Sequence, residues 1–221
     1  MGEDGDRAPA LRAALVDAIA VEAPWVGGSW NARVLEAMRR FPRHRFVPGV
    51  SLERAYDDEP QPIGHGQTIS QPTVVALMTQ ALELSGRERV LEIGTGCGYQ
   101  AAILGELAAE VDTVERIPQL FYEATVRLTA WPNVRAHLGD GYRGLEARAP
   151  FDRILLTAAP PELPSALLTQ LAEGGILVAP VGTGLQALVR VEKRDGRLLS
   201  TRLGTVRFVP MVPADASPAR S

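Results

Sequence analysis

The texture that begins after Gly86 constrains the fold of this chain more than any other feature. Short apolar runs alternate there with helical stretches: VLEI at 90–93, a helix from about Tyr99 to Ala109, VDTVE at 111–115, and a helix opened by Pro118. VRAH at 134–137, RILLT at 153–157, a helix over 163–172 and ILVAPV at 176–181 continue the series. Strands that alternate with helices in this way imply βαβ units and a parallel sheet. ALVRVEKRDGRLLSTRL, 187–203, differs: it reads as two alternating strands about Asp195-Gly196, a hairpin signal. The expected class is α/β, a doubly wound sheet that is mostly parallel and ends in an antiparallel hairpin.

Upstream of Gly86 the pattern is helical. Leu11, Leu15, Val16 and Ile19 recur at helical spacing between Ala8 and Ala23. Asn31 is a good N-cap for a second helix, which carries Val34, Leu35 and Met38 and stops before Pro42. DDEPQP at 57–62 reads as loop, and in GHGQTISQP at 64–72 Pro72 is placed to open a further helix. Residues 1–9 and 213–221 read as frayed tails. The resulting organisation is an N-terminal extension with a helix over 1–30, one domain over 31–212, and a flexible tail over 213–221. Within the domain, 31–85 holds helices and the 64–72 loop, and 86–212 holds the sheet.

Charge and cysteine usage exclude several functions. Lys and Arg number 23 against 26 Asp and Glu, a net charge of −3, with no basic excess for binding nucleic acid. The one cysteine, Cys97, rules out an intrachain disulfide and a cysteine-cluster zinc site, and suits a reducing compartment. No apolar run approaches the ~20 residues of a membrane span. The acidic MGEDGDRAP start has no basic region ahead of a signal core. A cytoplasmic, monomeric protein without membrane or nucleic-acid partners is expected.

The strongest local signal is VLEIGTGCGYQAA at 90–102. A buried strand carries Glu92, then Gly94, Thr95, Gly96 and Gly98 form a G-x-G-x-G turn into a helix. Glycines there allow a tight turn and close backbone approach to a ligand, and a helix N-terminus offers free N–H groups. Glu115 ends the next strand, seventeen residues after Gly98 (115 − 98), where a carboxylate can accept both hydroxyls of an adenosine ribose. The dinucleotide fingerprint would need glycine at 99, where Tyr99 stands, and no Gly-Lys-Ser/Thr tripeptide exists for a phosphate loop. S-adenosylmethionine is the common ligand that remains; the alternative is a set of tight turns with no ligand. Asp140-Gly141, after the strand at 134–138, could reach an adenine amino group or form a simple turn. Thr157-Ala158-Ala159-Pro160 is unlike the Asn/Asp-Pro-Pro-aromatic segment of amino-group methyltransferases and argues against a base amine as acceptor.

From about Asn31 to Pro213 the residues resemble the protein-L-isoaspartate (D-aspartate) O-methyltransferase family. The resemblance is carried by VLEAMRRFPRHRFVP (34–48), QPIGHGQTISQP (61–72), the glycine loop, the GDG at 139–141, FDRILLTAAPPELP, LAEGGILVAPVG (171–182) and VRFVPMV (206–212). Phe41 stands where the family more often has a smaller aliphatic residue. The resemblance implies a class I methyltransferase fold, with a seven-stranded sheet whose last strand is antiparallel. It also implies methyl transfer from S-adenosylmethionine to the free α-carboxylate of an L-isoaspartyl residue in a damaged protein. The ester then cyclises to a succinimide, and hydrolysis returns some normal aspartate. By the same resemblance Ser70 is the active-site serine that holds the acceptor carboxylate; on local sequence it could equally cap the helix after Pro72. Thr68, Ile69 and Gln71 are expected to shape that loop, and Val209 and Pro210 to form the opposite lip, with a plain edge strand as the alternative there.

The chemistry asks little of the protein. A carboxylate of intrinsic pKa ~3.5–4 is ionised at neutral pH and attacks a sulfonium methyl without a general base. The site must align the atoms and exclude water, so no metal and no catalytic histidine are expected. His44, His65 and His137 include no i,i+4 pair, and His65 in the loop reads as a bystander. Cys97 reads as a small filler. Two other readings stand beside repair: a class I methyltransferase for another small carboxylate or hydroxyl acceptor, and a cofactor-binding module without catalysis.

Overall fold

A computed structural model describes residues 4–22, 24 and 28–213. Helix α1 (Asp4–Val21) starts well before the expected Ala8, so the stretch from Asp4 to Pro9 is helix and not frayed tail. Ala8, Leu15, Val16 and Ile19 are buried, and this stripe packs α1 on its neighbours. The tail expected over 213–221 lies, from 214 on, outside the described residues. In α2 (Ala32–Arg40), Asn31 caps as expected, its side chain accepting from the Arg33 amide at 2.9 Å. Phe41 follows and meets Trp131 edge-on at 5.1 Å, so the larger side chain has an aromatic partner. A short α3 (Leu52–Ala55) is capped by Ser51.

The loop expected over 57–62 gives way at Gln61 to a small hairpin, β1 (Gln61–Gly64) paired with β2 (Gln67–Ile69). Strands this short carry too few residues for alternation to show in sequence. Gly64, His65 and Gly66 all have positive φ at its tip. Helix α4 (Pro72–Ala81) opens with Pro72 in its first turn, where a missing N–H costs nothing.

The main sheet follows in the expected alternation: β3 (Arg89–Ile93), α5 (Tyr99–Leu107), β4 (Glu110–Glu115), α6 (Pro118–Arg127), β5 (Val134–Leu138) and β6 (Phe151–Leu156). Then come α7 (Ser165–Gln170), β7 (Leu171–Val181), β8 (Gln186–Arg194) and β9 (Arg197–Val206). The seven strands lie in the order β5-β4-β3-β6-β7-β8-β9. β8 is antiparallel to both β7 and β9, so the sheet ends in the antiparallel hairpin expected about Asp195-Gly196, with the last strand antiparallel to its neighbour. β9 pairs only with β8 and runs with the parallel set.

Alternation along the strands divides the core between the two faces. Val90, Leu155, Ile176 and Val178 join α1, α2, α4 and α5 on one side; Leu91, Ile93, Ile154, Leu156 and Leu177 join α7 on the other. Each fully buried aliphatic side chain contributes roughly 1.5–3 kcal/mol. The chain leaves β3 towards β4 and β5, then returns to place β6 on the opposite side of β3. Ligands of open α/β sheets bind at such a switch point, outside the carboxyl ends of the strands.

Candidate active site

A cleft opens at that switch point. Its floor is the loop after β3, where Gly94, Thr95, Gly96 and Cys97 line it. The loop cannot carry side chains where it turns. Gly94 has φ +101°, and a Cβ there would come 2.3 Å from Thr157 Oγ1. That hydroxyl donates to Gly94 O at 2.6 Å and clamps the loop to the end of β6. Gly141 also presents bare backbone to the cleft, since its Cβ would meet Ile93 Cγ2 at 2.5 Å.

Glu115 is buried at the carboxyl end of β4 and lines the cleft. Its carboxylate accepts from the amides of Gly96 (2.8 Å), Arg116 (2.9 Å) and Ile117 (2.9 Å). Three backbone donors fix its direction, and its unused lone pairs can still accept from a diol. Ile117 and Leu120 give the adjoining wall an apolar surface. Bare backbone, a fixed carboxylate and aliphatic walls suit an adenosine group.

Across the cleft stand Thr68, Ile69 and Ser70, at the end of the β1–β2 hairpin, with Val209, Pro210 and Met211. Ser70 is half-buried. It does not cap α4: the N-cap position is Gln71, with no side-chain cap bond. The carboxylate of Asp58 accepts instead from the Thr73 amide and hydroxyl and from Gln71 Nε2. Val209–Met211 is fixed by a ladder to the loop after β6, with Ala159 N donating to Val209 O at 2.9 Å and Met211 N to Ala159 O at 2.8 Å. Tyr142 donates to Met211 O, and buried Gln186 holds Phe208 through both its amide atoms. The segment is a cleft wall held from three sides.

Four expected site residues do not line the cleft. Glu92 is fully buried beneath the loop, where Thr113 Oγ1 bonds both to it and, at 2.7 Å, to Thr95 Oγ1. Burial pushes the Glu92 carboxyl up to about 8, against the Thr113 hydrogen bond and with the charge of Glu115. Its Oε1 atom has no partner. Gly98 (φ +91°) opens α5 against Leu128. Asp140 accepts from the Tyr142 amide at 2.9 Å in a tight turn beside Gly141. Gln71 reaches away to Asp58. Thr157, Ile117 and Met211 are cleft residues that sequence reasoning missed; the first two follow strand ends, a position that could have marked them.

None of the histidines lines the cleft: His44 bonds to Tyr56, His65 sits at the hairpin tip, and His137 bonds to Asp112 at 2.8 Å. Cys97 is buried, and burial raises its thiol to about 11. Among the described residues no group of His, Cys, Asp and Glu could hold a metal ion.

The family model described as protein-L-isoaspartate(D-aspartate) O-methyltransferase matches residues 26–216. Protein-L-isoaspartate O-methyltransferase 1 of Syntrophobacter fumaroxidans is 54% identical over 84% of this chain and 88% of its own length. The protein-L-isoaspartate O-methyltransferase of Methanoculleus marisnigri is 52% identical over 84% of this chain and 86% of its own. A solved protein-L-isoaspartate O-methyltransferase superposes with TM-score 0.82 at 26% identity, over 92% of this chain and 66% of that one, just under two thirds of its length. A Plasmodium falciparum chain assigned to the same activity, crystallised with S-adenosyl-L-homocysteine, gives 0.77 at 22% identity over 93% and 98% of the two chains, a likeness of fold.

Proposed function

The chain belongs to the protein-L-isoaspartate(D-aspartate) O-methyltransferase family, and from that premise we propose how its cleft divides the work. The activity itself is S-adenosylmethionine-dependent methylation of L-isoaspartyl carboxylates in protein repair.

The observation that carries the reading is the juxtaposition, across one cleft, of the Gly94–Cys97 loop with Glu115 on one side and Ser70 with Val209-Pro210 on the other. On the first side, the backbone of Gly94, Thr95 and Gly96 lies against the cofactor, Glu115 accepts its ribose hydroxyls, and Gly141 with Asp140 borders its base. When bound there, S-adenosylmethionine supplies a sulfonium-activated methyl group. Glu92 and Gly98 serve the same subsite from beneath, Glu92 by fixing Thr95 through Thr113.

On the second side, Ser70 donates a hydrogen bond to one oxygen of the acceptor carboxylate and leaves the other free to attack. Thr68, Ile69 and Gln71 shape that lip, and Val209-Pro210 clamps the peptide. The acceptor is already ionised, so the residues align it and exclude water; no proton has to be moved first. The physiological acceptors are damaged proteins. Monomeric action in the cytoplasm, without nucleic acid, belongs to the same proposal: a net charge of −3 offers no basic excess for nucleic acid, and a single cysteine suits a reducing compartment.

Labelled methyl transfer to an isoaspartyl peptide, beside its aspartyl twin, tests the reading. The two acceptors differ hardly at all in charge, so the pocket must read main-chain connectivity by leaving groups unpaired in the wrong isomer, at roughly 1–3 kcal/mol each. A preference of a hundredfold or more in kcat/KM is expected. Equal kcat/KM for both peptides would move the protein to another carboxylate or hydroxyl acceptor.

A further inference from the structure

Asp58 lies in the loop between α3 and β1, yet its side chain is spent on α4. Oδ1 accepts from the Thr73 amide at 2.8 Å, and Oδ2 from Thr73 Oγ1 at 2.6 Å and Gln71 Nε2 at 3.0 Å. A carboxylate at this place satisfies an orphan donor of the first turn and complements the positive end of the helix. The loop that carries it is pinned in turn. Arg43, wholly buried, donates from Nε to Ala55 O at 3.1 Å and from Nη2 to Glu59 O at 3.3 Å, so one guanidinium holds both ends of segment 55–59. The same guanidinium lies over the ring of Tyr99, a cleft residue, 5.3 Å from its centroid.

This arrangement bears on Ser70. Serine caps a helix by accepting from the amide three residues on, and three residues on from Ser70 is Thr73. With that amide taken by Asp58 and Gln71 at the N-cap position, Ser70 is not drawn into capping and lines the cleft. We propose that Asp58 is a positioning residue for methyl transfer: it caps α4 from a distant loop and so keeps Ser70 available to the acceptor carboxylate. The proposal rests on the reading of Ser70 given above.

The test compares Asp58→Ala, Asp58→Asn, Ser70→Ala and the double variant Asp58→Ala/Ser70→Ala, measuring isoaspartyl-peptide kinetics and S-adenosylhomocysteine affinity by calorimetry. Asp58→Ala should lower kcat about tenfold or more while cofactor-product affinity stays within about twofold. Asp58→Asn keeps the Oδ1 acceptor for the Thr73 amide and should recover most of the loss. In the Ser70→Ala background, removing Asp58 should cost less than about twofold further, because the two residues act as one unit. Normal peptide kinetics in Asp58→Ala, beside an impaired Ser70→Ala, would overturn the proposal alone. Equal loss of turnover and S-adenosylhomocysteine affinity would overturn it in favour of a general structural role. So would a full Asp58 effect in the double variant, which would place its action elsewhere than on Ser70. Wild-type turnover in Ser70→Ala would remove the Ser70 reading, and this proposal with it.

Discussion

The Glu115 carboxylate accepts a hydrogen bond from the Gly96 amide at 2.8 Å, so the end of β4 holds the glycine loop that follows β3. The acid thus braces the backbone beside it, in addition to the ribose-binding role proposed for it.

Removing it should therefore cost more than one ribose contact. Glu115→Ala is expected to weaken S-adenosylhomocysteine binding by at least the about 1.5–3 kcal/mol of a hydrogen bond to a charged group, read by calorimetry. Glu115→Gln keeps one carbonyl acceptor and should fall between. Unchanged affinity in a folded Glu115→Ala protein would take this residue out of the cofactor subsite.

Gly94 permits a sharper test of the loop. Its φ of +101° is unfavourable to any L side chain, and Thr157 Oγ1 stands 2.3 Å from the position of a Cβ. Gly94→Ala should lower Tm by about 4 °C or more, at roughly 2–4 °C per kcal/mol for a domain of this size. Adding Thr157→Ala removes the clash and leaves the dihedral strain, so the double variant should recover only part of the loss. Complete recovery would mean that φ contributes nothing.

Glu92 gives a pH dependence of defined sign. Burial holds its carboxyl at about 8, while in the unfolded chain it titrates near 4.5. Between those values the unfolded state has released a proton that the folded state keeps, so stability falls as pH rises from about 4.5 to about 8, then levels off. The loss is on the order of a few kcal/mol. Glu92→Gln should flatten this part of the Tm profile and raise Tm at pH 8 relative to the parent. A parallel profile in the variant would show that the carboxyl is ionised in the folded state at neutral pH.

Gln186 offers a route to the acceptor side alone. Both ends of its amide hold Phe208, the residue before the Val209–Met211 wall. Gln186→Ala leaves both Phe208 backbone groups without their partner and should raise KM for an isoaspartyl peptide several-fold, with S-adenosylhomocysteine affinity nearly unchanged. Steady-state kinetics beside calorimetry separate the two. Equal damage to both would make Gln186 a general support of the sheet.

The sheet was legible because its strands are buried in runs and punctuated by glycine and proline: VLEI, VDTVE and RILLT lie where β3, β4 and β6 form. Asn31 and Pro72 marked helix starts for reasons local to each. What escaped was set by partners distant in sequence. The β1–β2 hairpin is too short to alternate. Glu92 looks in sequence like a ligand group, yet the pleat turns it into the core, where its hydroxyl partner is Thr113 on the next strand. The cap on α4 comes from Asp58, thirteen residues before Gln71 (71 − 58), beyond any local capping pattern.

The burial of Cys97 has a consequence for endurance. Thiols react with peroxides and alkylating agents as thiolates. With its thiol raised to about 11, roughly one Cys97 in ten thousand is ionised at neutral pH. The glycine loop therefore presents almost no thiolate at neutral pH, and its cysteine should react slowly with alkylating agents while the protein is folded.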